Sequence, residues 1–271
     1  MEINMEKRER LKEFYFKIRD CNKCDLAATR TNFVFGSGNS NASIIFIGEA
    51  PGKNEDLQGK PFVGQAGKLL DELLCSIKFT RSDVFIANVL KCRPPLNRDP
   101  VISEISLCKD YLFEQIGIID PGIICTMGKY STQLILETGQ GINSLRGKVF
   151  KIGNRIVIPI NHPAAALYAP SRMQILKEDF KRIKTMHDNL EDPGKAFEIS
   201  NIVSADVPAD TMEVPAVPDS HITSMIFSGS QAPINSETFT AQQPNGRKPL
   251  NKQESQNEKA SQDPNKQLGL F

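Results

Sequence analysis

No apolar run in this chain approaches the roughly 20 residues needed to cross a bilayer. The opening MEINMEKRERLKEF is charged where a secretion signal would be apolar. Together these absences predict a cytoplasmic protein with no membrane association. The chain lacks the Lys-Ser/Thr ending of a P-loop and the spacing of a dinucleotide fingerprint, so neither phosphate-binding class is indicated. It shows no internal repeat. Histidine is scarce, with three in 271 residues, and net charge is only +1. That small charge is unevenly spread. From Glu191 onward there are 6 Lys+Arg against 11 Asp+Glu, which leaves 27 against 21 for the rest. The first part is mildly basic, which fits a nucleic-acid partner without requiring one.

The most informative stretch runs from Phe46 to Leu74, FIGEAPGKNEDLQGKPFVGQAGKLLDELL. An uncharged, isoleucine-rich strand is predicted over Ser43–Gly48. A loop dense in Gly and Pro follows, then a helix from Gln65 to Ile77. In that helix Ala66, Leu69, Leu70, Leu73, Leu74 and Ile77 recur at three- and four-residue steps. Further strands are expected at Val84–Val89, Ile118–Cys125 and Ile156–Ile160. Further helices are expected at Glu6–Arg19, Val101–Glu114, Tyr130–Glu137 and Arg172–Asn189. Strand–helix alternation points to an α/β fold with a parallel sheet covered on both faces. Such folds bind ligands beyond the carboxyl ends of their strands. The Gly-rich loop carries Glu49, Glu55 and Asp56 with Phe62, and suits a small, planar, mostly uncharged group. Asn88 and His162 each end a strand on that same edge. An amide offers donor and acceptor, and an imidazole can hold or donate a proton. Asn88 as a turn cap and His162 as a structural histidine are the plainer alternatives. His187 and His221 have no such context and are expected to be solvated.

Six cysteines with no export signal suggest metal ligands or core thiols rather than disulfides. Cys21 and Cys24 form a CxxC at the end of the first helix. Cys92 follows the second strand, and Cys108 lies on the next helix. All four can close one tetrahedral thiolate site, zinc or iron–sulfur, and spacing leaves that choice open. Four separate core thiols are the alternative. Cys75 and Cys125 read as buried apolar residues. Residues 191–266 are rich in Pro, Ser, Gln and Asn, hold 8 of the 17 prolines, and are expected to be disordered. The chain then ends abruptly in the apolar QLGLF.

With GEAPGKNEDLQGKPFVGQAGKLLDELL, NVLKCRPPLNRDP and NHPAAALY in view, the chain resembles the family 4, iron–sulfur, uracil-DNA glycosylases. The likeness runs from about Arg8 to Asn189, with several motifs in family order. It implies a catalytic domain over residues 1–190. The implied fold is a three-layer α/β/α sandwich with a central four-stranded parallel sheet. The implied cofactor is a structural [4Fe–4S] cluster on Cys21, Cys24, Cys92 and Cys108. The implied partner is uracil-containing DNA. By the same resemblance Phe62 stacks on the flipped uracil and Asn88 reads its polar edge. Glu55 crowds the C5 position against thymine, and His162 stabilises charge on the uracil oxygen. Glu49 and the backbone at Ala50 place the attacking water, with Asn97 in support. Arg93, Leu167, Tyr168 and Arg172 are candidates for DNA contact, with Leu167 and Tyr168 as an apolar wedge. The terminal QLGLF resembles the bacterial sliding-clamp-binding pentapeptide. Gln267, Leu268, Leu270 and Phe271 would engage a DNA sliding clamp, and residues 191–266 would act as tether. A monomer is the default expectation. The rival reading is a non-catalytic iron–sulfur DNA-binding module of the same fold.

Overall fold

The structure is a computed structural model, and it describes residues 2–167, 169–191 and 202–204. In chain order the elements are α1 (Glu2–Ile18), α2 (Leu26–Thr29), β1 (Ser37–Gly38), β2 (Ile44–Gly48), α3 (Lys53–Gln58), α4 (Gln65–Ser76), β3 (Phe85–Asn88), α5 (Ile102–Ile119), β4 (Ile123–Met127), α6 (Lys129–Ile135), α7 (Ile142–Leu145), β5 (Val149–Ile152), β6 (Arg155–Ile160), α8 (Pro170–Glu191) and β7 (Ile202–Ser204). Short 3-10 turns lie at Pro95–Asn97 and Pro163–Ala166.

The strands form one sheet in the order β1-β3-β2-β4-β6-β5-β7. β3, β2, β4 and β6 are mutually parallel neighbours. β1 and β5 pair antiparallel to β3 and β6, while β7 runs parallel to β5. The four expected parallel strands form the centre, but β1, β5 and β7 extend them, so the sheet as a whole is mixed and not limited to four parallel strands. The additional strands are short. β5 and β6 form a hairpin across Gly153 and Asn154, with Gly153 at φ +58°. A Gly-Asn pair between apolar runs is a hairpin signal, so this strand was legible. The Ile118–Cys125 expectation is also corrected. Ile118 and Ile119 end α5, Asp120 caps that helix at φ +48°, and the strand begins at Ile123. Ile202–Ser204, within the stretch expected to be disordered, pairs with β5.

Every residue of β2, β3 and β4 is buried. Because side chains alternate along a strand, each face receives half of them. Ile45, Ile47, Phe85, Ala87 and Ile124 meet Leu11 and Tyr15 of α1 and Leu112 and Ile116 of α5. On the other face Ile44, Phe46, Ile86 and Ile158 meet Leu70, Leu73 and Leu74 of α4 and Leu176 and Phe180 of α8. The Phe46 and Phe180 rings stack 5.5 Å apart. Both faces are thus covered by amphipathic helices. Burial of this kind is worth about 25 cal/mol per Å² of apolar surface.

One polar chain crosses the first of these cores. Lys91 is wholly buried; its Nζ donates to the Asn88 carbonyl (2.9 Å) and to Gln115 Oε1 (2.6 Å). Gln115 in turn donates to the Phe35 carbonyl at 2.9 Å. Burial lowers the Lys91 pKa to about 8, opposed by Cys108 and Cys92. A buried donor stripped of its acceptor costs about 1–3 kcal/mol. Gln115→Leu is therefore expected to lower unfolding stability by about that amount, read as a reduced urea midpoint at unchanged slope.

Candidate active site

The order β3-β2-β4-β6 contains a reversal. The chain leaves β2 toward β3 and leaves β4 toward β6, and the crevice at such a reversal is where α/β sheets hold ligands. Gly48, Asn88, Met127 and Ile160 end these four strands at one edge. Gly48 pairs in register with Asn88. A Cβ on Gly48 would lie 2.4 Å from Asn88 Oδ1 and 2.7 Å from Phe62 Cζ. The missing side chain is thus what lets both groups close in over this strand end. Asn88 is 2% exposed, and its Oδ1 has no hydrogen-bond partner among the described residues. A buried, unpaired acceptor is costly and uncommon, and it is a reason to look for a ligand.

Phe62 stands against this amide in a strained backbone conformation, φ +53°. Several bonds hold it there. Arg81 donates through Nη1 to the Pro61 carbonyl (3.1 Å) and through Nη2 to the Phe62 carbonyl, and its Nε pairs with Asp71 at 2.6 Å. Glu55 Oε1 accepts from the amides of Val63 and Gly64, both at 2.8 Å. A Cβ on Gly67 would lie 1.8 Å from the Phe62 carbonyl oxygen, so only glycine fits beneath this turn. Arg81 escaped the sequence reading because its contacts are set by tertiary folding. Glu55, expected at the C5 edge, has loop bracing as its visible work.

The rings of Phe62 and His162 stack with centroids 5.5 Å apart and planes inclined by 28°. His162 follows β6, and its Nδ1 accepts from the Ala164 amide at 3.2 Å. An acceptor nitrogen carries no proton, so we assign the neutral ring's proton to Nε2. Desolvation by the surrounding protein lowers its pKa to about 4, with the charge of Glu55 opposing. The ring is therefore neutral at neutral pH, with one N–H available to donate.

Glu49, directly after β2, is shifted the other way. Burial, then the charge of Asp99, raises its pKa to about 7, and Lys129 opposes. Asp99 accepts from the Tyr130 hydroxyl at 2.8 Å, tying the loop after β3 to α6. Asp99, Lys129 and Tyr130 were not singled out from sequence. Ala50 is partly buried, packed against the core. The structure thus gathers Glu49, Ala50, Glu55, Phe62, Asn88 and His162 at one sheet edge.

The other expected contacts are more scattered. Arg93 Nε donates to Asn97 Oδ1 at 2.7 Å. Leu167 is partly buried and packs on the core. Arg172 is exposed and reaches the Ala165 carbonyl at 3.5 Å. Tyr168, His221, Gln267, Leu268, Leu270 and Phe271 lie outside the described residues. His187, expected to be solvated, instead bonds Ser43 Oγ at 2.9 Å and meets Phe79 edge-on.

The cysteine expectation requires correction. Cys92 is buried, and Cys21, Cys24 and Cys108 pack around the same core. Yet among the described residues no group of three or more His, Cys, Asp or Glu side chains is arranged to hold a metal ion. All six cysteines are free thiols. Arg30 donates to Cys92 Sγ at 3.3 Å. Burial raises the Cys92 pKa and pushes that of Cys108 to about 11, which favours thiols where ligation needs thiolates. The structure does not support a [4Fe–4S] site on Cys21, Cys24, Cys92 and Cys108. Cys125 is buried as expected, whereas Cys75 faces outward from α4.

Residues 35–185 match the family model described as the Uracil DNA glycosylase superfamily. The chain is 48% identical over 183 residues to a type-4 uracil-DNA glycosylase of Archaeoglobus fulgidus, covering 65% of this chain and 92% of that protein. It is 49% identical over 191 residues to one from Sulfurisphaera tokodaii, covering 67% and 86%. It is also 49% identical over 177 residues to one from Saccharolobus solfataricus, covering 62% and 82%. With an α/β fold on a mixed sheet and an open amide, ring and imidazole at its carboxyl edge, this chain belongs to the type-4 uracil-DNA glycosylase family.

Proposed function

We propose that this protein excises uracil from DNA by hydrolysing its N-glycosidic bond, leaving an abasic site. The observation that carries the reading is the buried Oδ1 of Asn88, unpaired among the described residues and set against Phe62 over the bare Cα of Gly48. A base inside a duplex is out of reach, so it must be flipped into this pocket. Phe62 gives the uracil a ring face to lie on. Asn88 Oδ1 accepts the imide N–H and its NH2 donates to the neighbouring carbonyl. Cytosine presents the opposite pattern there and leaves both groups unpaired. By bracing the Phe62 loop, Glu55 is proposed to bar the 5-methyl group of thymine.

In the reaction the C1′–N1 bond breaks, and its electron pair passes to the base. The Nε2–H of His162 is proposed to donate to the uracil oxygen on which that charge collects. Because the ring is neutral, it stabilises the anion by hydrogen bonding without surrendering its proton. The sugar becomes cationic. Glu49, once ionised, stabilises that charge and orients the water whose oxygen bonds to C1′, with the Ala50 backbone beside it. The water's proton passes to Glu49 and then to solvent. The basic side chains of Arg93 and Arg172, with Leu167 and Tyr168, are proposed to meet the DNA around the pocket. No described helix is long and apolar enough to cross a membrane.

Excision should occur at U opposite G, U opposite A and single-stranded U, and not at T opposite G. His162→Ala should lose roughly 100- to 1,000-fold in single-turnover rate, the scale of a lost oxyanion donor. Gly48→Ala should abolish excision and, because its Cβ would overlap the buried Asn88 and Phe62 side chains, should also cost about 1–3 kcal/mol of unfolding stability. Cleavage at T comparable to that at U would sink the reading.

The pH profile follows from the two shifted groups. A carboxylate raised to about 7 is protonated below that value, so kcat/KM should climb through pH 7 and level off above it. His162 stays neutral well above pH 4 and should add no limb in this range. Glu49→Gln should remove the rise.

The terminal QLGLF is proposed to seat Leu268, Leu270 and Phe271 in an apolar pocket of a sliding clamp, with Gln267 bonding beside it. Its support is an apolar pentapeptide closing a polar stretch. Deleting these five residues should abolish clamp pull-down and leave excision on free oligonucleotides unchanged.

A further inference from the structure

Arg81 lies 19 residues beyond Phe62 in the chain, yet it bonds the backbone around that ring. Its Nη1 donates to the Pro61 carbonyl at 3.1 Å. Its Nη2 donates to the Phe62 carbonyl and, at 3.4 Å, to that of Gly67. Its Nε donates to Asp71 Oδ1 at 2.6 Å. Gly67 and Asp71 belong to α4, so one guanidinium ties the Phe62 turn to that helix. A planar fork of fixed N–H groups suits four acceptors spread in this way, and a single ammonium on a flexible stem does not. Charged donors also make stronger bonds than neutral ones.

Arg81 is itself held. Thr80 donates to Asp83 Oδ2 through both its amide and its hydroxyl, each at 2.7 Å, and the Asp83 amide donates back to the Thr80 carbonyl at 3.1 Å. Buried Val84 follows, and then β3, which ends in Asn88. The side chain that holds the Phe62 turn and the amide that faces the Phe62 ring are thus borne by one anchored segment. Phe62 needs such a hold. Its φ of +53° is a region that residues with side chains rarely adopt. Freed of its bonds, the residue would relax to negative φ and carry its ring away from Gly48 and Asn88.

We propose that Arg81 is a positioning residue for base recognition. Its bonds keep Phe62 in the strained conformation that sets the ring against Asn88, so Arg81 governs how firmly an extruded base is held without touching it. This rests on the function proposed above. The ordering of the loop is completed on folding, which leaves less to be ordered when the base arrives.

Arg81→Ala should raise the single-stranded uracil substrate concentration for half-maximal excision roughly tenfold, with a smaller fall in the rate at saturation. The rise in kcat/KM near pH 7 should stay in place, because Phe62 alone is released. In a Phe62→Leu background, removing Arg81 should cost less than about twofold, since the ring through which it acts is gone. Asp71→Asn, which unties Arg81 from α4 and leaves its carbonyl bonds, should give the same pattern at about threefold. Equal losses with and without the Phe62 ring would overturn the proposal. So would a pH rise moved down toward the ordinary carboxylate range, the sign of a site loosened as a whole. A second measurement needs no chemistry. Glu55 holds the Val63 and Gly64 amides beside the ring. Arg81→Ala should speed hydrogen exchange at these two amides roughly tenfold and leave that of β2 unchanged. Unchanged exchange at Val63 and Gly64 would refute the proposal even if uracil excision itself were absent, and absent excision by the unsubstituted protein alone would count against the catalytic reading.

Discussion

Parallel pairing of β2 with β3 places Gly48 directly beside Asn88, and the pocket depends on that register. A residue without a side chain faces an amide whose oxygen has no partner among the described residues. Slippage by one position would bring Val89 or Ala87 opposite Gly48 and turn every side chain of the strand to the other face. Slippage is opposed by the two cores, since each strand places apolar residues on both sides of the sheet. The fold's apolar burial and the site's polar geometry are therefore set by the same backbone hydrogen bonds.

Burial also sets the charge of the site. It raises the Glu49 carboxyl and lowers the His162 imidazole, in each case favouring the neutral form. Near neutral pH the pocket can hold a neutral ring donor and a carboxylate at the edge of ionisation. This suits a reaction whose reactant base is uncharged and whose charge appears only as the bond breaks. Preorganised donors act most strongly in such surroundings.

The residues proposed to touch the base were legible in sequence because they lie in dense, contiguous motifs at strand ends. The residues that hold them in place were not. Arg81 reaches back 19 residues to Phe62, and Gln115 reaches 80 residues to Phe35. No local pattern announces such contacts. The four central strands were readable as short runs of mostly apolar residues. The Ile118–Ile119 segment looked the same, but helical continuation to Asp120 claimed it. The cysteine spacing suggested a ligand set, and the folded arrangement gives buried thiols, one bonded to Arg30. Spacing shows which thiols can meet, whereas their protonation depends on desolvation that only the packed core defines.

The pairing of Ile202–Ser204 with β5 has a bearing on solubility. Without it, Val149–Ile152 would be the sheet's outer strand, with three of its four residues apolar and a row of unsatisfied backbone donors and acceptors. Such an edge is a template for a strand from a second molecule. At the opposite end β1 is only Ser37–Gly38, too short and too polar to recruit a partner. A chain cut at residue 190, where the family motifs stop, would retain the whole catalytic edge and yet carry a surface prone to self-association.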